Sequence, residues 1–286
     1  MEGFISGLHN SPLKGFSVEF AEHRAYNEGE SIRNLDWKLL AKTDKKFIKE
    51  FIEETNLRCH IWIDVSESMS YPKNKNHKLK IAVLAAASIC NLTAQQRDAF
   101  SVSTFNSENI VWKSDLKSTK SHLYSIIQQL ETYWNQTDSS KDQSTFETLN
   151  FQYLLAGVRR RNLVVVVSDL LWSPEEKDKE KAFWESIAHL SFLKCEVLIL
   201  HVQDYQSEIE LDLPDQPINF VDLESGDKIK LNPLEIQEMY AQNQKLHLQS
   251  LKERSFNNGA KYYGLDVSVP INQALMAFYV SRNKLI

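Results

Sequence analysis

Oxygen-bearing side chains cluster directly after one apolar segment of the chain. That segment reads RCHIWID over residues 58–64, and its final residue, Asp64, is followed by Ser66 and Ser68 at alternating positions. Side chains at the carboxyl end of a buried strand face the crevice in which open α/β sheets bind ligands. Their hard oxygen atoms suit Mg²⁺ better than zinc. The pattern predicts a cation site, with one alternative: Asp64 and Ser66 cap the turn into the following helix.

A second carboxylate follows another apolar run. Residues 163–167 read LVVVV, an uninterrupted β-branched stretch typical of a central strand buried on both faces, and Ser168 and Asp169 follow. If this strand lies beside the one that ends at Asp64, both carboxylates face the same crevice. Because unpaired like charges in a cleft are costly, the pair favours a bound cation over two caps.

The elements that position these residues alternate between strand and helix. Strands are predicted at 58–64, 99–105, 109–113, 163–167, 195–202 and 261–267. Helices are predicted at about 79–93, 118–134, 146–160, 176–193, 233–256 and from 271. The segments 99–105 and 109–113 are close enough to pair as a hairpin. This order predicts an α/β fold with a doubly wound, mostly parallel, Rossmann-like sheet and helices on both faces.

Two regions of the chain depart from this alternation. Residues 1–57 are rich in charge and aromatic rings, and we expect them to form an N-terminal appendage to an α/β domain at 58–286. Their last segment, FIKEFIEETN, fits either an edge strand or a helix. Within the domain, an irregular insertion with a short hairpin is expected at about 204–232, where Pro214, Pro217 and the turn-like ESGDK interrupt the pattern.

The appendage carries a dense group of charged and aromatic residues. We expect it to form an ion-pair and stacking network that locks the appendage to the core, with a partner surface or a solvated face as alternatives. The group comprises Arg24, Glu28, Arg33, Asp36 and Trp37.

Composition excludes several classes of protein. The 286 residues are 42% apolar and 25% charged, and 33 Lys and Arg against 38 Asp and Glu give a net charge of -5, so nucleic acid is not an expected partner. Three scattered cysteines argue against a disulfide framework or a Cys-based zinc site, which fits a reducing compartment. Apolar runs fall short of the ~20 residues that a membrane span needs, so we expect a cytoplasmic protein. The sequence carries no common nucleotide-binding or hydrolase motif, and no catalytic residue is predicted.

The segment Asp64-Val-Ser66-Glu-Ser68 resembles the DxSxS signature of von Willebrand factor A domains. The resemblance implies a metal-ion-dependent adhesion site (MIDAS) for Mg²⁺, with Mn²⁺ or Ca²⁺ as alternatives. It implies that Ser66, Ser68 and Thr145 bind the metal directly, that Asp64 and Asp169 act largely through water, and that an open coordination position accepts a partner's carboxylate. The loop around Thr145 reads QSTF and lacks the glycines usual in that family, so Ser144 and Thr148 are alternative ligands.

A longer stretch resembles domain-of-unknown-function family 58. The resemblance covers KGFSVEFAEHRAYNEGESIRNLDWKLLAKTDKKFIKEF, DLPDQPINFVDLESGDKIKL and the closing FYVSRNKL, and so nearly the whole chain. That family couples such an N-terminal segment to a von Willebrand A-like domain. The resemblance implies that the protein acts with a MoxR-type AAA+ ATPase or one of its clients.

Three hypotheses for function follow from these observations. The first is a non-enzymatic module that binds a partner protein through a Mg²⁺-bridged carboxylate. The second is a Mg²⁺-dependent phosphohydrolase of the haloacid dehalogenase type with Asp64 as nucleophile, although Ser66 stands where such enzymes carry a second aspartate. The third is a scaffold that binds no metal.

Overall fold

The computed structural model describes residues 19–27, 35–52, 57–72, 77–106, 109–135, 147–148, 151–172, 176–221, 226–270 and 272–274. The chain divides in sequence into two units, with the boundary between Asn56 and Leu57. Among the described residues, no helix combines the length and the apolar character that crossing a membrane requires.

The N-terminal unit contains two antiparallel strands and a short helix. These elements are β1 (Glu19–Ala25), α1 (Trp37–Thr43) and β2 (Phe47–Ile52). The segment that the sequence left open between strand and helix is therefore a strand over Phe47–Ile52.

Asp36 organises the described part of this unit. One carboxylate oxygen caps α1 by accepting from the backbone N–H groups of Lys38 and Leu39 at 3.0 and 3.1 Å. The other accepts from His23 Nε2 at 2.8 Å and lies 3.3 Å from Lys49 Nζ. The hydrogen bond from His23, with those from the helix and Lys49, holds the pKa of Asp36 well below its usual range. Two members of the predicted N-terminal network can be compared with the structure. The partners of Asp36 named above belong to its own unit, and the Trp37 side chain is 60% exposed. Glu28 and Arg33 lie outside the described residues.

The larger unit alternates strands and helices. In chain order, its elements are β3 (Arg58–Asp64), α2 (Lys78–Gln95), β4 (Ala99–Phe105), β5 (Asn109–Lys113), α3 (Lys120–Asn135), β6 (Glu147–Thr148), α4 (Phe151–Leu155), β7 (Leu163–Ser168), α5 (Lys177–Phe192), β8 (Glu196–Gln203), β9 (Ile218–Val221), β10 (Lys228–Leu231), α6 (Pro233–Asn257) and β11 (Ala260–Asp266). A 3₁₀ turn at Glu67–Ser70 follows β3, and a π-helical turn at Tyr205–Ile209 follows β8.

Seven strands form one sheet in the order β11-β8-β7-β3-β4-β5-β6. The strands from β11 to β4 in this order run parallel, whereas β5 is antiparallel to both of its neighbours. The predicted fold class, an α/β fold with a doubly wound and mostly parallel sheet, is confirmed. The predicted hairpin of the insertion is also present, as β9 paired with β10.

Helices cover both faces of the sheet because its central strands bury side chains on both sides. On one face, Ile61 and Val165 pack in a core that contains Ile126 of α3 and the apolar side of α2. On the other face, Trp62 and Val166 pack in a core supplied by α4, α5 and α6. All six residues of β7 are buried, as the LVVVV run predicted.

The predicted helix at 146–160 is wrong in extent. Of its described residues, Phe151–Leu155 form a helix, while Glu147 and Thr148 pair with β5 as the edge strand β6. Gly157 has a φ of 91°, a left-handed conformation in which a helix does not continue. Of the last predicted helix, residues 272–274 are helical, and the rest lies outside the described residues.

Candidate functional site

The strand order creates a crevice at the carboxyl ends of β3 and β7. These strands are neighbours, and the chain leaves β3 towards β4 on one side but leaves β7 towards β8 on the other. Ligands of open α/β sheets bind at such a switch point. Asp64 is the last residue of β3, and Asp169 directly follows β7. We call this place, with Asp64, Ser66, Ser68 and Asp169, the β3–β7 crevice.

The loop after β3 brings the two serine hydroxyls together. Asp64 Oδ1 accepts from the backbone N–H of Ser66 at 2.9 Å, which closes the turn out of the strand. The 3₁₀ turn then places the Ser66 and Ser68 hydroxyl oxygens 3.0 Å apart. Ser66 is the N-cap residue of that turn, but its hydroxyl makes no capping hydrogen bond. The capping alternative therefore does not account for Ser66.

The loop after β7 is tied to the end of β3 by Ser168. The Ser168 hydroxyl donates to Asp64 Oδ2 at 2.6 Å and accepts from the backbone N–H of Leu170 at 2.9 Å. Asp169 Oδ1 accepts from the backbone N–H of Leu171 at 3.3 Å. These bonds orient both carboxylates, which are 7% and 2% exposed for Asp64 and Asp169.

The two aspartates interact across the crevice. Burial raises the pKa of Asp64 to about 7, and the negative charge of Asp169 adds to this effect. Hydrogen bonds from Ser168 and Ser66 oppose the increase without cancelling it. This geometry agrees with the expectation that β3 and β7 bring the two carboxylates to one place.

A buried lysine, which sequence reasoning missed, completes the cluster. Lys78 is the first residue of α2 and is fully excluded from solvent. Its ammonium donates to Asp169 Oδ2 at 2.7 Å and to Glu208 Oε1 at 2.5 Å. Burial lowers the pKa of Lys78, but the two carboxylates more than offset this, so its pKa lies above the usual value. The one available signal was helical spacing, because Lys78 precedes the buried Ala82 and Ala85 by one and two turns.

Glu208 belongs to the π-helical turn after β8. Its Oε2 atom accepts from the backbone N–H of Asp204 at 2.8 Å, so both of its carboxylate oxygens are engaged. Burial raises the pKa of Glu208, and Lys78 opposes that increase. The segment that the sequence marked only as irregular thus contributes a charged residue to the cluster.

His201 fixes the backbone at Asp169. Its Nε2 atom donates to the Asp169 carbonyl at 2.8 Å, so its Nδ1 atom accepts from the Tyr262 hydroxyl. Burial lowers the pKa of His201 to about 4, which keeps the ring neutral. Because His60 and His201 lie within strand-like apolar runs, the sequence predicts that both are structural histidines with satisfied hydrogen bonds. The hydrogen bonds of His60 with Ser101 and Asn162 agree with this prediction.

The remaining predicted ligand cannot be placed beside this cluster. Thr145 and its alternative Ser144 lie outside the described residues, and Thr148 is part of β6. Within the described part of the chain, no group of three or more His, Cys, Asp or Glu side chains is arranged to hold a metal ion.

Solved structures and sequence relatives resemble this chain. The BatB protein of Bacteroides thetaiotaomicron has a TM-score of 0.43 at 14% identity, covering 79% of this chain and 98% of that one. The SpRpn10 VWA domain has a TM-score of 0.33 at 11% identity, covering 77% and 93%. Uncharacterised proteins of Mycobacterium bovis and Mycobacterium tuberculosis are each 22% identical over 227 residues, covering 79% of this chain and 67% of their own length. Residues 22–249 match the family described as protein of unknown function DUF58, and the chain belongs to that family.

Proposed function

We propose that this protein is a non-enzymatic interaction module that binds a partner protein at the β3–β7 crevice through a divalent cation, with Mg²⁺ as the preferred ion. The charge balance of the cluster carries this proposal. Lys78 pairs with Asp169 and Glu208, and with Asp64 the cluster holds three carboxylates and one ammonium, an excess of two negative charges when all are ionised. One divalent cation neutralises this excess, and unpaired charges in a buried site are costly.

The donor atoms present fit Mg²⁺. The Ser66 and Ser68 hydroxyls lie 3.0 Å apart, and the aspartate oxygens keep lone pairs beyond the hydrogen bonds that they accept. Mg²⁺ takes hard oxygen ligands and usually retains several waters, which suits two direct hydroxyls and two carboxylates that act through water. Ser66 and Ser68 would hold the ion, with Thr145 as the third direct ligand on the family resemblance. The bound ion would offer an open position to an oxygen ligand.

Hydrogen bonds within the chain would hold the ligand groups of this site in position. Ser168 holds the Asp64 carboxylate, and His201 holds the backbone that carries Asp169. An acidic side chain is the partner group that completes such a site, because a carboxylate supplies both a hard oxygen and a negative charge. The family resemblance favours a MoxR-type AAA+ ATPase, or a client that it remodels, as the protein that carries this side chain.

The phosphohydrolase alternative finds less support. Both Asp64 oxygens already accept hydrogen bonds from the chain, which makes them less available for nucleophilic attack. Phosphatase turnover that Asp64→Asn abolishes would favour the enzyme. The third hypothesis, a metal-free scaffold, predicts a thermal midpoint that magnesium does not raise, whereas an ion bound only to the folded state raises it.

Affinity capture tests the proposal. The full chain would be used to capture a MoxR-type ATPase in the presence of Mg²⁺ or of EDTA, in parallel with Asp64→Ala and Ser66→Ala variants. We expect EDTA and both substitutions to abolish capture. Asp115→Ala is the matched control, since its carboxylate is 75% exposed and pairs with Lys117 away from the crevice. Equal capture in EDTA would refute the metal bridge.

A further inference from the structure

Every carboxylate oxygen in the cluster accepts a hydrogen bond from the chain itself. Asp64 receives one bond on each oxygen, from the Ser66 backbone and the Ser168 hydroxyl. Glu208 receives one on each, from Lys78 and the Asp204 backbone. Asp169 receives one from the Leu171 backbone on Oδ1 and one from the Lys78 ammonium on Oδ2. The neutral donors leave a further lone pair on each oxygen that they bind, whereas the Lys78 ammonium also brings a positive charge to Asp169 and Glu208.

This arrangement bears on which cation the crevice accepts. Ca²⁺ takes six to eight oxygens and commonly uses carboxylates in bidentate fashion, whereas Mg²⁺ requires octahedral geometry and keeps several waters. Because an ammonium and a metal ion repel each other, a carboxylate with one oxygen bound to an ammonium can offer only its other oxygen to the ion, directly or through water. Such carboxylates suit the smaller ion.

Lys78 differs from the other donors in its charge. It carries a full charge, is 0% exposed, and bridges two carboxylates that belong to different strands' loops. Its ammonium lies 2.7 Å from an Asp169 oxygen and 2.5 Å from a Glu208 oxygen. Without the ammonium, these two carboxylates would flank a vacant position suited to another cation.

We propose that Lys78 determines the metal selectivity of the crevice, by committing one oxygen of Asp169 and the Glu208 carboxylate to an internal ammonium so that Mg²⁺ is bound in preference to Ca²⁺. The inference rests on the proposed function. Lys78 is a positioning residue here, because it acts through Asp169 and need not touch the ion.

Variants of Lys78 and Glu208 distinguish the loss of the ammonium from Asp169 from a change in the net charge of the cluster. With Asp64, Asp169, Glu208 and Lys78 ionised, the native cluster carries three negative charges and one positive charge. Lys78→Met raises the net negative charge by one, and Glu208→Gln lowers it by one. The double variant Lys78→Met/Glu208→Gln therefore matches the native charge but lacks the ammonium on Asp169 Oδ2. Glu208→Gln alone keeps that ammonium.

Calorimetric titration of the full chain with Mg²⁺ alone and with Ca²⁺ alone gives the ratio of the two dissociation constants for each variant. We expect the native chain and Glu208→Gln to bind Mg²⁺ more tightly. In the charge-matched double variant we expect the ratio to move towards Ca²⁺ by about tenfold or more, because changing a group that supports a metal ligand typically alters metal affinity by about 10–100-fold and the loss should fall on Mg²⁺. A double variant with the native ratio would overturn the inference.

Two further outcomes are decisive. If Mg²⁺ binds the native chain but no substitution changes the ratio, the selectivity role of Lys78 fails and the proposed function stands. If the native chain binds neither ion, the selectivity role and the proposed function both fail.

Should Lys78→Met unfold in metal-free buffer, the inference predicts that Ca²⁺ restores its thermal transition more than Mg²⁺ does. Equal effects of the two ions would contradict it.

Discussion

The Lys78 ammonium and the Asp169 carboxylate form an ion pair of 2.7 Å inside the protein, with side chains that are 0% and 2% exposed. Taking both charges out of water costs free energy that their attraction only partly returns, so such a pair is weak evidence for added stability. Removing only one partner of the pair is strongly destabilising. The remaining charge then stays buried without a counter-ion.

Lys78→Met is therefore expected to destabilise the metal-free protein strongly. Removal of one partner of a buried pair typically lowers the free energy of unfolding by about 3–5 kcal/mol. Urea denaturation followed by circular dichroism measures this change. Lys117→Met is the control, because the Lys117–Asp115 bridge has the same 2.7 Å length but side chains that are 55% and 75% exposed, and no measurable change is expected there. Comparable losses in both variants would contradict the role assigned to burial.

Asp98 should make stability fall as pH rises. Its carboxylate accepts from the Leu57 backbone N–H at 2.9 Å, and burial raises its pKa to about 6. Between the unfolded value near 4 and about 6, the folded chain binds the proton more tightly, so stability declines across that window. Asp98→Asn keeps an acceptor for Leu57 without the charge. The difference in unfolding free energy between the variant and the native chain should grow from pH 4 to 6 and then level off, and a flat difference would contradict this assignment.

Phe183 should be a principal contributor to the core on the α5 face. It is 1% exposed and packs against the rings of Phe151, Trp172 and Trp184 at centroid distances of 5.5, 5.8 and 5.1 Å. Phe183→Ala should lower the free energy of unfolding by about 3–5 kcal/mol. Phe192→Ala, on the same helix but 82% exposed, is the matched control and should change it by less than about 0.5 kcal/mol. Urea denaturation of both variants distinguishes burial from a general effect on α5.

Arg97 offers a site for stabilisation. It is exposed, follows the C-cap of α2 and has a φ of 60°, a left-handed conformation that costs energy for residues with a Cβ. Arg97→Gly should therefore raise the free energy of unfolding by about 0.5–1 kcal/mol. Arg97→Ala keeps the Cβ and should give no such gain, so an equal effect of both substitutions in thermal melting would contradict the backbone explanation.

The two carboxylates that sequence reasoning placed in the crevice lie at the end of an apolar strand or directly after it. Asp64 and Asp169 could be assigned to strand ends because a run such as LVVVV is a local signal of burial on both faces. The predicted helix at 146–160 failed for a related reason. Thr148 and its neighbour are strand because they pair with β5, a contact that no local period in that segment shows.

The sequence by itself determined the alternation of the main strands and helices, the α/β class and the polar ends of the two central strands, because periodicity and β-branched runs are properties of neighbouring residues. Only the tertiary structure decided that β3 lies beside β7 and that Lys78 is enclosed between Asp169 and Glu208, which are 91 and 130 positions away in the chain. A lysine near the start of an amphipathic helix is ordinarily solvated. It becomes buried only where other elements deliver countercharges to it, and that depends on the packing of the whole sheet.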